Sequence, residues 1–124
     1  MVNRILLYIG SAIPFIWGVS HLFPTKSVVE GFGETSVDNA RIITMEWITE
    51  GIALMFLGAV VFLVTVADHT ATSSEIVYWS SVVTLNVLSV VSVFTGFRIH
   101  FLPFRMCPFI FSGSSILILI GALI

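Results

Sequence analysis

Glu46 and Glu50 are the only ionisable side chains between Ile42 and Val66, a stretch otherwise apolar enough to cross a membrane. Four residues apart on a helix, the two carboxyls share a face. A carboxylate is costly in hydrocarbon, so it normally faces a bundle interior or a water-filled space and has a task there. Two acids this close in a low-dielectric site cannot both ionise cheaply, which suits a proton relay or a proton-coupled binding step. His21, at the end of the preceding apolar run, would meet them if the two helices pack together. Glu, Glu and His also form a ligand set that divalent metals accept. The Glu-x-x-His motifs of di-iron bundles are absent, so no metal is assigned. A ligand or proton site ranks first, a structural ion-pair network second and a metal site third.

Further polar residues converge on the same half of the chain's apolar runs. Gly10, Pro14, Trp17 and His21 recur at four, three and four residues, which is one helical face. Pro14 frees the carbonyl of Gly10 and is expected to kink the helix, a feature membranes tolerate when a neighbour takes up the acceptor. Trp17 would face Glu46 and Glu50, although tryptophan also favours membrane interfaces for its own sake. With the membrane edge set near Phe23, Arg41, Phe97 and Arg105, Glu46 falls about 7 Å inside and Glu50 about 13 Å inside. Asn86 falls about 16 Å from its helix end, and a carboxamide at that depth needs several partners. Arg41, Arg98 and His100 ring the same edge, while the far half reads as nearly pure Val, Leu, Ile and Phe. The expected pocket therefore joins Glu46, Glu50, His21, Trp17, Asn86, Arg41, Arg98 and His100.

These side chains must be carried by four apolar runs, about 5–23, 42–66, 76–97 and 104–124. The chain is 57% hydrophobic and 10% charged, against about a quarter charged in a soluble domain. Each run is close to the roughly 20 apolar residues that span a bilayer. An all-α, integral-membrane, up-down four-helix bundle in a single domain follows. Residues 1–20 have some marks of a signal peptide, but the first apolar run exceeds a signal core of about 7–15 residues, so a retained helix is expected. The single cysteine, Cys107, excludes an intrachain disulfide. Five basic residues and a net charge of −2 make nucleic-acid binding improbable.

Loops and helix ends follow from local chemistry. Pro24 stops the first helix. Thr35-x-x-Asp38 and Thr72-x-x-Glu75 have capping-box spacing and open the second and third. Val28, Val29 and Phe32 make loop 24–40 apolar enough to lie partly at the membrane surface. Gly51, Gly58, Ser89, Ser92, Gly96, Gly113 and Gly121 offer small packing surfaces. Lys26, Arg41, Arg98 and Arg105 lie on one side and Arg4 on the other. The excess of positive charge places loops 24–40 and 98–103 in the cytoplasm and both termini outside.

The residues Gly18-Val19-Ser20-His21-Leu22-Phe23-Pro24-Thr25 and Met45-Glu46-Trp47-Ile48-Thr49-Glu50-Gly51, in a short four-helix layout, resemble the DoxX-like superfamily of small bacterial and archaeal membrane proteins. The resemblance is architectural and covers the whole chain. It implies a prokaryotic plasma membrane, a quinone- or lipid-facing pocket near His21 and Glu46, and a role in quinone-coupled sulfur oxidation, redox homeostasis or a larger membrane assembly. Paired cysteines, which a thiol-redox member needs, are absent. Two functions are expected on this basis. One is a pocket for a quinone, lipid or similar amphiphile, or a proton relay. The other is a non-catalytic accessory subunit, in an oligomer or larger complex, whose acids form structural ion pairs.

Overall fold

The computed structural model describes residues 1–124 as five α-helices and one short 3-10 turn. In chain order these are α1 (Val2–Leu22), α2 (Thr25–Gly31), α3 (Val37–Asp68), α4 (Thr72–Phe94), the 3-10 turn (Gly96–Arg98) and α5 (Leu102–Leu123). Helices α1, α3, α4 and α5 are each long and apolar enough to cross a membrane. The expected all-α four-helix membrane bundle is therefore the observed architecture. Helix α2 is an addition, formed inside what the sequence presents as a loop.

Buried residues on α3 are Trp47, Gly51, Leu54, Gly58, Val61 and Thr65, spaced four, three, four, three and four apart. That spacing is one narrow helical stripe. It packs antiparallel on α1, with Gly18 against Gly51 and Gly58 against the backbone of Ser11. A methyl group added to Gly18 would stand 2.5 Å from the Gly51 carbonyl oxygen, so the two backbones touch only because neither glycine has a side chain. The other side of α1 packs on α5, where Gly121 receives Leu7. Helix α5 packs in turn on α4, and α3 meets α4 far more lightly. Leu7, Leu54, Val61, Leu85, Phe111 and Ile118 fill the centre. Gly113, expected to be a packing glycine, has open space around it.

The α4–α5 seam is held by hydroxyl groups. Ser89 Oγ donates to the Pro108 carbonyl (3.0 Å) and meets Ser112 Oγ (2.7 Å). Helix α1 runs unbroken through Pro14, and the Gly10 carbonyl that Pro14 cannot serve accepts from Ser114 Oγ of α5 at 2.6 Å. The neighbour required by the sequence argument is thus a serine 104 residues away.

Several boundaries differ from expectation. Helix α3 is 32 residues long, about 48 Å at 1.5 Å per residue, whereas the apolar run covers only 42–66. Trp47 Nε1 donates to the His21 carbonyl, so the end of α1 is level with Trp47. The segment from Val37 to Glu46 therefore projects roughly 15 Å beyond α1, and α2 packs against it. Its cap is Ser36, whose side chain accepts from the Asn39 N–H at 3.2 Å, one residue after the expected Thr35. Helix α4 has Ala71 at its cap position, with no side-chain cap, in place of Thr72. It ends at Phe94 because the chain tightens into the 3-10 turn before reaching 97.

The half of the bundle away from His21 is also less uniform than its sequence suggests. Tyr78 is 1% exposed and Thr65 fully buried there. Thr65 Oγ1 donates to the Val61 carbonyl (2.7 Å) and contacts Tyr78 Oη (3.0 Å), so the two hydroxyls are satisfied in series.

Candidate functional site

At the end of α1 His21 is only 5% exposed. Its ring stacks on Trp47 of α3, with centroids 4.4 Å apart and planes 23° apart, and it meets the edge of Trp17 at 5.9 Å. Trp47 leans in turn on Phe104 of α5, at 5.3 Å. Three helices thus lock one imidazole between aromatic rings.

The imidazole's hydrogen bonding defines what it offers. Nδ1 lies 3.3 Å from the Trp17 carbonyl oxygen. A carbonyl can only accept, so Nδ1 carries the hydrogen and neutral His21 presents a lone pair at Nε2. That nitrogen faces Glu50 Oε1 at 3.6 Å. Two acceptors face each other unless one holds a proton, so the pair is complete only with a proton between them. Glu50 leaves 46% of its side chain accessible, and Glu46 is exposed.

The two acids share a face, as their spacing dictates, but it is not the face that packs on α1. The buried stripe passes through Trp47 and Gly51, one residue after each glutamate, and one residue turns the helix by about 100°. Both carboxyls therefore stand beside the seam. They line an open groove of about 450 Å³ together with Phe32, Ile43, Trp47, Thr49 and Phe104. Their depth changes too. Measured from the end of α1, which is level with Trp47, Glu46 stands at that end and Glu50 about one turn, or 5 Å, further into the four-helix body. The depths of about 7 and 13 Å assumed Arg41 as the edge, but Arg41 lies on the projecting part of α3. An acid at the edge can reach headgroups and water, which removes most of the penalty of burial.

The other expected members divide clearly. Trp17 joins His21, and its indole Nε1 is buried with no hydrogen-bond partner. Asn86 does not join: its amide donates to the Val82 carbonyl (2.8 Å) and to Ser115 Oγ (2.7 Å), which commits it to the α4–α5 seam. Arg41 is exposed and pairs with Asp38 at 3.7 Å. Arg98 and His100 are exposed on the 3-10 turn and the loop after it. Ion pairs form only between His21 and Glu50, Lys26 and Glu30, and Arg41 and Asp38. No arginine neutralises Glu46 or Glu50, so the expected internal Arg–Glu network does not form. No three His, Cys, Asp or Glu side chains converge as a metal would require.

Trp47, Phe104 and Phe32 are the site residues that spacing arguments passed over. Trp47 was legible, since it begins the stripe that continues through the two glycines Gly51 and Gly58. Phe104 and Phe32 arrive from distant segments and carry no local signal. Compared with protein-family models, with curated proteins and with solved structures, the chain matches none.

Proposed function

We propose that this membrane protein holds the head of a small amphiphile, of quinone or lipid type, at the bilayer edge in the groove beside Glu46 and Glu50. The observation that carries the proposal is a pair of carboxylates in an apolar groove with no Lys or Arg within 4.0 Å of either. Such a pair attracts a hydrogen-bond donor or a cation, namely a quinol hydroxyl or a lipid amine. The ligand's apolar body then lies on Trp47, Phe104 and Phe32. Glu50 can share a proton with His21 Nε2, 3.6 Å behind it, so the pair can take a proton from a quinol hydroxyl and return it to the open groove, which is the proton relay we propose for the same site. From the resemblance of its sequence segments around His21 and Glu46 we also propose a relation to the DoxX-like superfamily and a prokaryotic plasma membrane as its setting. We further propose that loops 24–40 and 98–103 face the cytoplasm and the termini face outward, since Arg98 and Arg105 are not tied to acids.

Glu50→Gln tests this reading. A short-chain ubiquinol and a phosphatidylethanolamine are titrated separately while the fluorescence of Trp47 is followed. Tight binding of either one by the wild type, weakened about tenfold or more in the variant at unchanged melting temperature, is expected. Equal binding by wild type, Glu46→Gln and Glu50→Gln would sink it. A second reading, an accessory subunit, is favoured by the sideways exposure of both acids, which a cationic residue of a partner chain could meet. In that case the double variant Glu46→Gln/Glu50→Gln loses a co-purifying subunit, and neither amphiphile binds the wild type.

A further inference from the structure

From Ile76 to Ile124 the chain contains no aspartate or glutamate, and its only bases, Arg98, His100 and Arg105, fall within eight residues. These residues run from the end of the 3-10 turn into the first turn of α5, at the His21 end of the bundle. All three are exposed, and none has an acid within 4.0 Å. Lys26 and Arg41, at the same end, are each paired with an acid on their own helix. At this end of the bundle the unneutralised positive charge is therefore confined to one short segment.

That segment also presents apolar side chains between its bases. Phe97, Ile99, Phe101 and Leu102 are 42%, 43%, 44% and 64% exposed. The Arg105 guanidinium lies 5.5 Å from the centre of the Phe97 ring. Bases interleaved with exposed rings suit a headgroup layer, where guanidinium groups reach phosphate and the rings sit below them. Behind the segment, against α2, lies a cavity of about 270 Å³ lined by Val28, Phe32, Ile99, Phe101 and Phe104. It is largely apolar and partly open, and Ile99 and Phe101 of the segment form part of its wall.

We propose that residues 97–105 form a binding surface for an anionic phospholipid, with its phosphate on Arg98 and Arg105 and the start of one acyl chain in the cavity against α2. Phe32 and Phe104 line both the acidic groove and this cavity, but the groove selects a donor or cation and this surface an anion, so headgroup preference tells the two apart. Each base near an anionic lipid surface contributes enough to change occupancy about fivefold, and two together give a preference of roughly tenfold or more.

The test is native mass spectrometry of the full chain from micelles holding equal amounts of phosphatidylglycerol and phosphatidylcholine. The wild type is expected to retain phosphatidylglycerol over phosphatidylcholine by about tenfold. Arg98→Gln/Arg105→Gln is expected to bring that ratio near one, and Arg98→Lys/Arg105→Lys to keep most of it. A ratio near one in the wild type, or a preference that survives the double glutamine variant, overturns the proposal. If the glutamine variant fails to fold, displacement of brominated phosphatidylcholine from the wild type in bilayers decides the matter. Phosphatidylglycerol should displace it less well as salt rises from about 0.05 to about 0.5 M, and indifference to salt overturns the proposal.

Discussion

The two ends of the bundle bury polar groups in opposite ways. At the far end Tyr78 Oη, Thr65 Oγ1 and the Val61 carbonyl form a closed series in which every donor meets an acceptor. At the near end His21 Nε2 faces Glu50 without a hydrogen bond, and the Trp17 indole N–H is buried with only the weakly accepting Cys107 thiol near it. Buried polar groups are nearly always satisfied, and an exception calls for a reason. The Thr65–Tyr78 series is closed on itself, as suits a scaffold. The unsatisfied end has capacity to spare, and an open groove lies beside it.

Substitutions can break this contrast, and the largest effect belongs to the scaffold end. Tyr78→Ala empties a side chain that is 1% exposed and is expected to lower stability by about 3–5 kcal/mol. Amphiphile binding should persist in whatever fraction stays folded. Chemical denaturation in detergent, followed by helicity, measures the first effect. A ligand affinity that falls in step with the loss of Tyr78 would show the far end to be part of the site.

A smaller effect is expected at the glycine seam that carries the near end. In Gly18→Val the new Cβ meets the Gly51 backbone at 2.5 Å, and backbone cannot swing aside as a flexible side chain can. The helices must separate, at about 1–3 kcal/mol, and the His21–Trp47 stack should loosen with them. Near-ultraviolet dichroism reads the stack directly. An unaltered aromatic signal would mean that the seam does not set the site's geometry.

The smallest effect sharpens the contrast most. Tyr78→Phe breaks a complete series and should cost about 1 kcal/mol. Trp17→Phe removes a donor that has only a weak acceptor, so only about 0.5 kcal/mol of packing is expected to be lost. Melting temperatures of the two variants in one detergent give the comparison. A loss of 1 kcal/mol or more for Trp17→Phe would reveal a stronger partner for that indole.

The long apolar runs and their separation made the four-helix architecture legible, because span length is set by bilayer thickness and little else. The site was half legible. Spacing correctly placed Glu46 and Glu50 on a common face and His21 beside Glu50. It misjudged which face of α3 packs, since an acid in an apolar run suggests burial while Trp47, Gly51 and Gly58 one step along make the actual contact. Asn86 shows the second limit. Depth along a helix can be counted from the sequence, but rotation about its axis depends on the neighbour, and the neighbour here is Ser115 on α5. The length of α3 was a third limit: Ser36 caps a helix that starts well before the apolar run at Ile42.

The hydroxyl of Ser114 reaching Gly10 has a consequence for how the molecule is built. A chain emerging from the ribosome delivers α1 to the bilayer long before α5 exists. Until then the acceptor beneath Pro14 has no backbone donor, a costly condition inside a lipid phase. Helix α5 closes that gap, so α1 waits on a helix that is made about a hundred residues after it. Release of a nascent chain before residue 114 should accordingly leave α1 seeking a substitute partner, and such intermediates are the natural clients of insertion machinery.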